Sequence, residues 1–346
     1  MRSIQRERSV SRLLGLLVVG LAYGSDAALA IDRQQLGVIV NTRDPLSVAV
    51  ADYYVEKRGI PAENVIRVSF TPITNNLTRA RFDLIKAQVD EQTGPQIEAY
   101  AITWTAPYRV DCMSITAAFT FGFDPTFCTE GCNPTRRNPY FNSSAVFPHG
   151  SLAIRPTMSI AATSFEQAKA LIDRGVASDG TRPSGTAYLA VTSGARNVRS
   201  ALYPLAEKAA GKRLPVRQIE GPLTEANDVL FYFIGLAQVE GLETLQFQPG
   251  AIADHLTSFG GNLLGNGQMS VLRWLEAGAT GSYGTVVEPC NLLEKFPNPA
   301  VVMSRYLRGE TLIEAYWKSV LMPGQGIFVG EPLAAPFKRV LKSLQQ

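Results

Sequence analysis

Along the first third of the chain, short apolar blocks alternate with amphipathic stretches. Leu36–Val40 (LGVIV) has the length of a buried strand. Asp44 is then suited to cap a helix with Pro45 in its first turn, and the helical pattern through Arg58 stops at Gly59. Asn64–Phe70 (NVIRVSF) is the next strand, so the order is strand, helix, strand, a βαβ unit whose crossover makes its strands parallel. Thr78 opens a second helix through Asp90, followed by a strand at Ala99–Trp104. Ser164 and Gln167 have the spacing of a capping box, and their helix leads to a strand at Thr186–Thr192. Val229–Gly235 and Gly281–Val287 are further strands, with a helix between them that stops at Gly278. Two late helices lie around GETLIEAYW, and Gly326–Gly330 (GIFVG) reads as a possible edge strand. The alternation predicts an α/β fold: a mostly parallel sheet covered by helices on both faces.

Two segments break this rhythm. Residues 105–157 are rich in Pro, Gly, Phe and Thr and hold three of the four cysteines, which predicts a functional or stapled insert. Residues 236–267 are glycine-rich and read as irregular. Both follow strands, where α/β folds place their sites.

The N-terminus changes the picture of where the protein works. Arg2, Arg6, Arg8 and Arg12 precede an apolar run at Leu13–Tyr23, and Ala28–Ala30 (ALA) supplies a small-x-small cleavage pattern. This is the pattern of a secretory signal peptide over residues 1–30, too short to span a membrane. It predicts an exported protein, periplasmic or extracellular, folded as a single domain over 31–346 with no membrane span once the leader is removed. Four arginines against Glu7 and Asp26 give the leader a net +2, which leaves +1 of the chain's +3 for the remainder. That balance carries no electrostatic footprint for nucleic acid.

Cys112, Cys128, Cys132 and Cys290 are even in number, and export favours disulfides. Three complete pairings are open. The rival reading is a zinc site made of Cys112, Cys128, Cys132 and His149, but Cys-x3-Cys without a second close pair is weak ligand spacing. No metal and no cofactor are expected. Phe259–Ser270 (FGGNLLGNGQMS) has two glycines at phosphate-loop spacing, yet Asn266 stands where a lysine is needed, so the glycines read as turns. No Gly-x-Ser-x-Gly elbow occurs.

Chemistry therefore rests on few residues. His255, with Asp254 before it and Ser258 after it, is either catalytic or a hydrogen-bonded loop residue. Cys290 near Glu288 is either a nucleophile that needs a histidine or half of a disulfide. The expected ligand surface lies at the C-terminal ends of the central strands. It would gather Arg109 and Asp111 after the third strand, Asp254, His255 and Ser258 in a later loop, and Glu288 after YGTVV. An Arg–carboxylate pair is the expected structural use of two of these groups.

VNTRDPLSVAVADYYVEKRGIPAENVIRV, RPTMSIAATSFEQAKALIDRG and the stretch from GATGSYGTVVEPCNLL to GEPLAAPF resemble a family of uncharacterised exported bacterial proteins, over nearly the whole chain after the leader. The resemblance implies a setting in bacteria that carry the exosortase protein-sorting system, and no known reaction. AGATGSYGTVVEP with the late GEPL is more distantly similar to gingipain and caspase-like cysteine peptidases. That similarity implies a caspase-like sheet with His-Gly after one central strand and Cys after the next. Here Leu236, Ala237 and Gln238 follow VLFYFIG, and LTSFGG offers Ser258 in place of a cysteine, so the peptidase dyad is missing. The resulting expectation is a binding or scaffold protein for a protein or polymer ligand of the cell envelope. The alternatives are a hydrolase using His255 with Ser258 or Cys290, and a structural component of envelope or exopolysaccharide machinery.

Overall fold

The computed structural model describes residues 30–71, 75–129, 131–265 and 267–339. The signal-peptide pattern at 1–29 and Asn266 lie outside the described residues. The chain opens with β1 (Leu36–Asn41), α1 (Pro45–Arg58), β2 (Val65–Val68), β3 (Asn76–Leu77), α2 (Arg79–Gln92) and β4 (Ala99–Ile102). Then come β5 (Arg109–Val110), β6 (Met113–Ser114), α3 (Ile115–Phe121), α4 (Pro148–Leu152), β7 (Thr157–Ser159) and α5 (Phe165–Ser178). The second half runs β8 (Thr186–Val191), α6 (Tyr203–Ala210), β9 (Val216–Glu220), β10 (Val229–Ile234), β11 (Phe247–His255), α7 (Leu272–Ala277) and β12 (Gly281–Thr285). It closes with α8 (Pro299–Tyr306), α9 (Leu312–Trp317) and β13 (Gly326–Gly330).

A ten-stranded sheet carries the fold, in the order β2-β1-β4-β7-β13-β12-β11-β10-β8-β9. Every pairing is parallel except β12 with β13. The sheet is thus two parallel halves of opposite direction. The strands β1, β2, β4, β7 and β13 end at one edge, and β8 to β12 end at the other. The central strands are buried along their full length, as β10 and β12 show, and one apolar cluster extends from Ile31 to Ala334. No described helix is long and apolar enough to cross a membrane.

The local signals act as their chemistry requires. Asp44 Oδ1 accepts from Leu46 N at 3.0 Å, and Gly59 closes α1 with φ +60°, a conformation that costs glycine little. Ser164 Oγ accepts from Gln167 N at 3.3 Å, but the Gln167 side chain reaches Thr163 N at 3.1 Å instead of closing the box on Ser164. Three elements differ from expectation. GIFVG is no edge strand: β13 is fully buried in mid-sheet, between β7 and β12. Part of the irregular stretch 236–267 is the nine-residue β11, which Pro249 and Gly250 disguise near a register shift against β10. The partly exposed β9 is the edge strand on this side.

The insert is stapled twice. Cys112–Cys128 closes a loop within it, and Cys132–Cys290 ties it to the segment after β12, leaving no free cysteine. Within it, β5 and β6 join β3 from outside the insert in a small sheet, and the apolar residues of α3 are buried against β7 and β13.

Candidate functional site

The last two residues of β11 point to opposite faces, as strand geometry demands. Asp254 meets Arg199, which the 3-10 turn Ala195–Leu202 carries under the sheet edge. Both side chains are only 1% exposed. Arg199 Nη1 donates to Asp254 Oδ1, while Nη2 donates to Ile234 O at 3.0 Å and Asp254 O at 3.2 Å. The guanidinium also lies over the Phe233 ring, 5.1 Å from its centroid. Burial pushes the Asp254 carboxyl up, and Arg199 opposes that push. The expected pairing of two of the predicted groups is not formed: Asp254 pairs with Arg199, which is not among them, while Arg109, the one predicted arginine, donates to Asn76.

His255 is buried on the other face. Its Nδ1 accepts from Trp274 Nε1 at 2.9 Å, and its Nε2 lies 3.0 Å from Met269 O. Indole N–H can only donate, and a carbonyl can only accept. The ring is therefore the neutral tautomer with its hydrogen on Nε2. Burial lowers its pKa to about 4, against the Met269 carbonyl, and Arg199 and Arg196 add to the lowering. Both nitrogens are spent on structure, so neither is left to accept a proton from a nucleophile.

The loop beyond β11 is held by backbone. Thr285 Oγ1 donates to Thr257 O at 3.1 Å and Ser258 O at 2.8 Å, and Gly261 N donates to Thr285 O at 2.9 Å. Gly261 sits so close to β12 that a Cβ on it would stand 2.6 Å from Gly284 O. These glycines are used for close approach and turns, with Gly265 N donating to Asn262 O at 2.9 Å. Ser258 is half-buried in this loop. Glu288 is exposed and accepts from Cys290 N at 2.7 Å. Cys290 is in the Cys132 disulfide, so it presents no thiol. The neighbouring Lys295, which sequence reasoning passed over, has a buried Nζ with no hydrogen-bond partner among the described residues. Burial pushes its pKa down, against the nearby Glu288.

The other predicted residues serve the insert. Arg109 Nε donates to Asn76 Oδ1 at 3.3 Å, and Asp111 Oδ2 accepts from Arg79 N at 3.0 Å, at the start of α2. His149 N donates to Glu98 Oε2 at 2.6 Å, and burial lowers the imidazole pKa. The disulfides consume the three thiolates that the zinc reading needs. His255, Ser258 and Glu288 do follow neighbouring parallel strands, β11 and β12, and so share one edge. Arg109 and Asp111 follow β4, whose C-terminal end is at the opposite edge.

A different feature stands at the N-terminal ends of β8 and β9. A cleft of about 740 Å³ is lined by Arg182, Arg213, Arg308 and Arg339, with Leu307 and Phe337 among its apolar walls. No carboxylate lines it, and none of the four arginines makes an ion pair among the described residues. All four are exposed. The arginines are 31, 95 and 31 positions apart in the chain, so only the fold brings them to one cleft. Compared with known protein families, with curated proteins and with solved structures, the chain matches none of them.

Proposed function

We propose that this is an exported, caspase-like binding protein that holds an anionic glycan of the cell envelope in the arginine-lined cleft. The observation that carries the reading is the gathering of four guanidiniums around one cleft that, among the described residues, has no carboxylate in its walls and no ion pair to any of the four. Guanidinium groups bind carboxylate and phosphate through paired, charge-assisted hydrogen bonds. The volume is in the range of ligand pockets, and the Phe337 ring suits the C–H face of a sugar. The leader pattern and the two disulfides support export.

The caspase-like part of the proposal rests on the distant sequence resemblance, and the second half of the sheet departs from that pattern at both catalytic positions. The resemblance asks for a histidine after one central strand and a cysteine after the next. The adjacent strands β10 and β11 lead instead into Leu236–Gln238 and Leu256–Ser258. His255, the imidazole nearest these positions in the chain, has both nitrogens engaged. These features favour binding over hydrolysis.

The test is binding of labelled oligogalacturonate, with neutral dextran as control, by the chain from Ile31 onward. Binding should weaken with salt, and Arg182→Ala with Arg308→Ala should weaken it by about tenfold each. Equal binding of the neutral glycan, or indifference to both substitutions, would overturn the proposal. Turnover of peptide or ester substrates that His255→Gln abolishes would replace it with the hydrolase reading.

A further inference from the structure

Glu314 is a buried carboxylate, 1% exposed, on the short helix α9. Its Oε2 accepts from Thr311 N at 3.0 Å and Thr311 Oγ1 at 2.6 Å. A third donor comes from 283 positions away: Ile31 N, at 3.2 Å. Nearby charges are otherwise matched. Arg305 and Lys318 both pair with Glu310, at 3.2 and 3.0 Å, and Lys318 also lies over the Tyr140 ring. Among the described residues Glu314 makes no ion pair. Burial pushes its pKa up, and Lys318 only partly opposes this. A buried carboxylate whose direct donors are all neutral is costly, because the attraction from Lys318, itself paired with Glu310, offsets its desolvation only in part.

The donor from Ile31 is an unusual one. Ile31 is the residue that follows the ALA cleavage pattern of the leader, and its side chain is 1% exposed in the apolar core. We infer that removal of the leader between Ala30 and Ile31 creates the missing cation: the new α-ammonium of Ile31 forms a buried ion pair with Glu314. In this step an export endopeptidase adds water across the Ala30–Ile31 peptide bond. The carbonyl carbon of Ala30 keeps the oxygen as a carboxylate, and the nitrogen of Ile31 leaves as an amine that is protonated. Because Ile31 is buried in the folded protein, the cut precedes folding, as it does when a leader is removed during export. The amide N–H that donates to Glu314 in the uncut chain becomes a charged donor at the same place. Maturation and final stability are thereby coupled through one contact. This rests on the leader reading and is independent of the arginine cleft.

The experiment has two parts. The full chain is first exported from a bacterial host and its mass measured; a terminus at Ile31 is expected, and any other terminus overturns the inference. Two purified chains are then compared, one beginning at Ile31 and one with Met-Ala added before it. The first should melt about 5 °C or more above the second, since losing the charge of a buried pair is strongly destabilising. Glu314→Gln should erase that difference. Equal melting temperatures, or a gap that survives Glu314→Gln, overturn the inference. If Glu314→Gln does not fold, the parent chain still decides: its folded α-amine should react with an acylating reagent about tenfold or more slowly than the Met-Ala form. Equal rates would overturn the ion pair.

Discussion

Replacing His255 with Gln should flatten the acid side of the stability profile. The folded imidazole titrates near 4 because it is buried, and its nitrogens are committed to Trp274 and Met269. In the unfolded chain it titrates near the ordinary value of about 6.5. Between those two values the unfolded state binds a proton that the folded state refuses. Stability from this residue is therefore intact above about pH 6.5, falls as the pH is lowered, and levels off below about 4. A gap of roughly 2.5 pH units, at about 1.36 kcal/mol each, makes the total loss on the order of 3 kcal/mol. Gln can donate one N–H to Met269 O and accept from Trp274 Nε1, so Gln keeps the hydrogen-bond pattern and removes the titration. Urea unfolding of both proteins at pH 7, 5.5 and 4 is the assay. Carboxylates titrate in both alike, so the difference between the two curves isolates the histidine. The parent should lose about 3 kcal/mol more than the variant on going to pH 4. Parallel curves would refute the reasoning, because they would mean that the ring protonates in the folded protein as freely as in water.

Arg199→Met should cost about 3–5 kcal/mol in urea unfolding at pH 7, since the buried Asp254 would lose the cation that offsets its desolvation; a loss under 1 kcal/mol would contradict the pairing. Removing the long-range disulfide with Cys132→Ser and Cys290→Ser should cost about 4–5 kcal/mol, against about 3 for Cys112→Ser with Cys128→Ser, because the loops span 158 and 16 positions. Melting curves of the two double variants rank the bridges, and a reversed order would count against loop closure as their main effect.

The sequence was readable where a signal is local. The caps at Asp44 and Gly59, the strand at Leu36 and the capping serine at Ser164 depend on neighbours within a few positions, and they form as read. β11 is hard to read from sequence because Pro249 and Gly250 look like a break, although the parallel strand tolerates them near a register shift. β13 reads as an edge strand from sequence because its central position depends on β7 and β12, whose pairing no local pattern encodes. The same limit governs the candidate site. Asp254 and His255 were visible as residue types, but their partners Arg199, Met269 and Trp274 lie 14 to 55 positions away. The cleft arginines had no local signature at all.

The place of β13 has a kinetic consequence. Strands β2, β1, β4 and β7, and strands β8 to β12, can each begin to pair as the chain emerges, but β7 and β12 keep open edges until residues 326–330 arrive to fill the slot between them. Unfilled edges with free N–H and C=O groups are templates for pairing with other chains. The two halves therefore wait, exposed, for the last strand, and their joining depends on contacts between distant parts of the chain, which form slowly. The Cys132–Cys290 bridge joins the insert that precedes β7 to the segment after β12, a cross-link between the two halves beyond the continuous backbone.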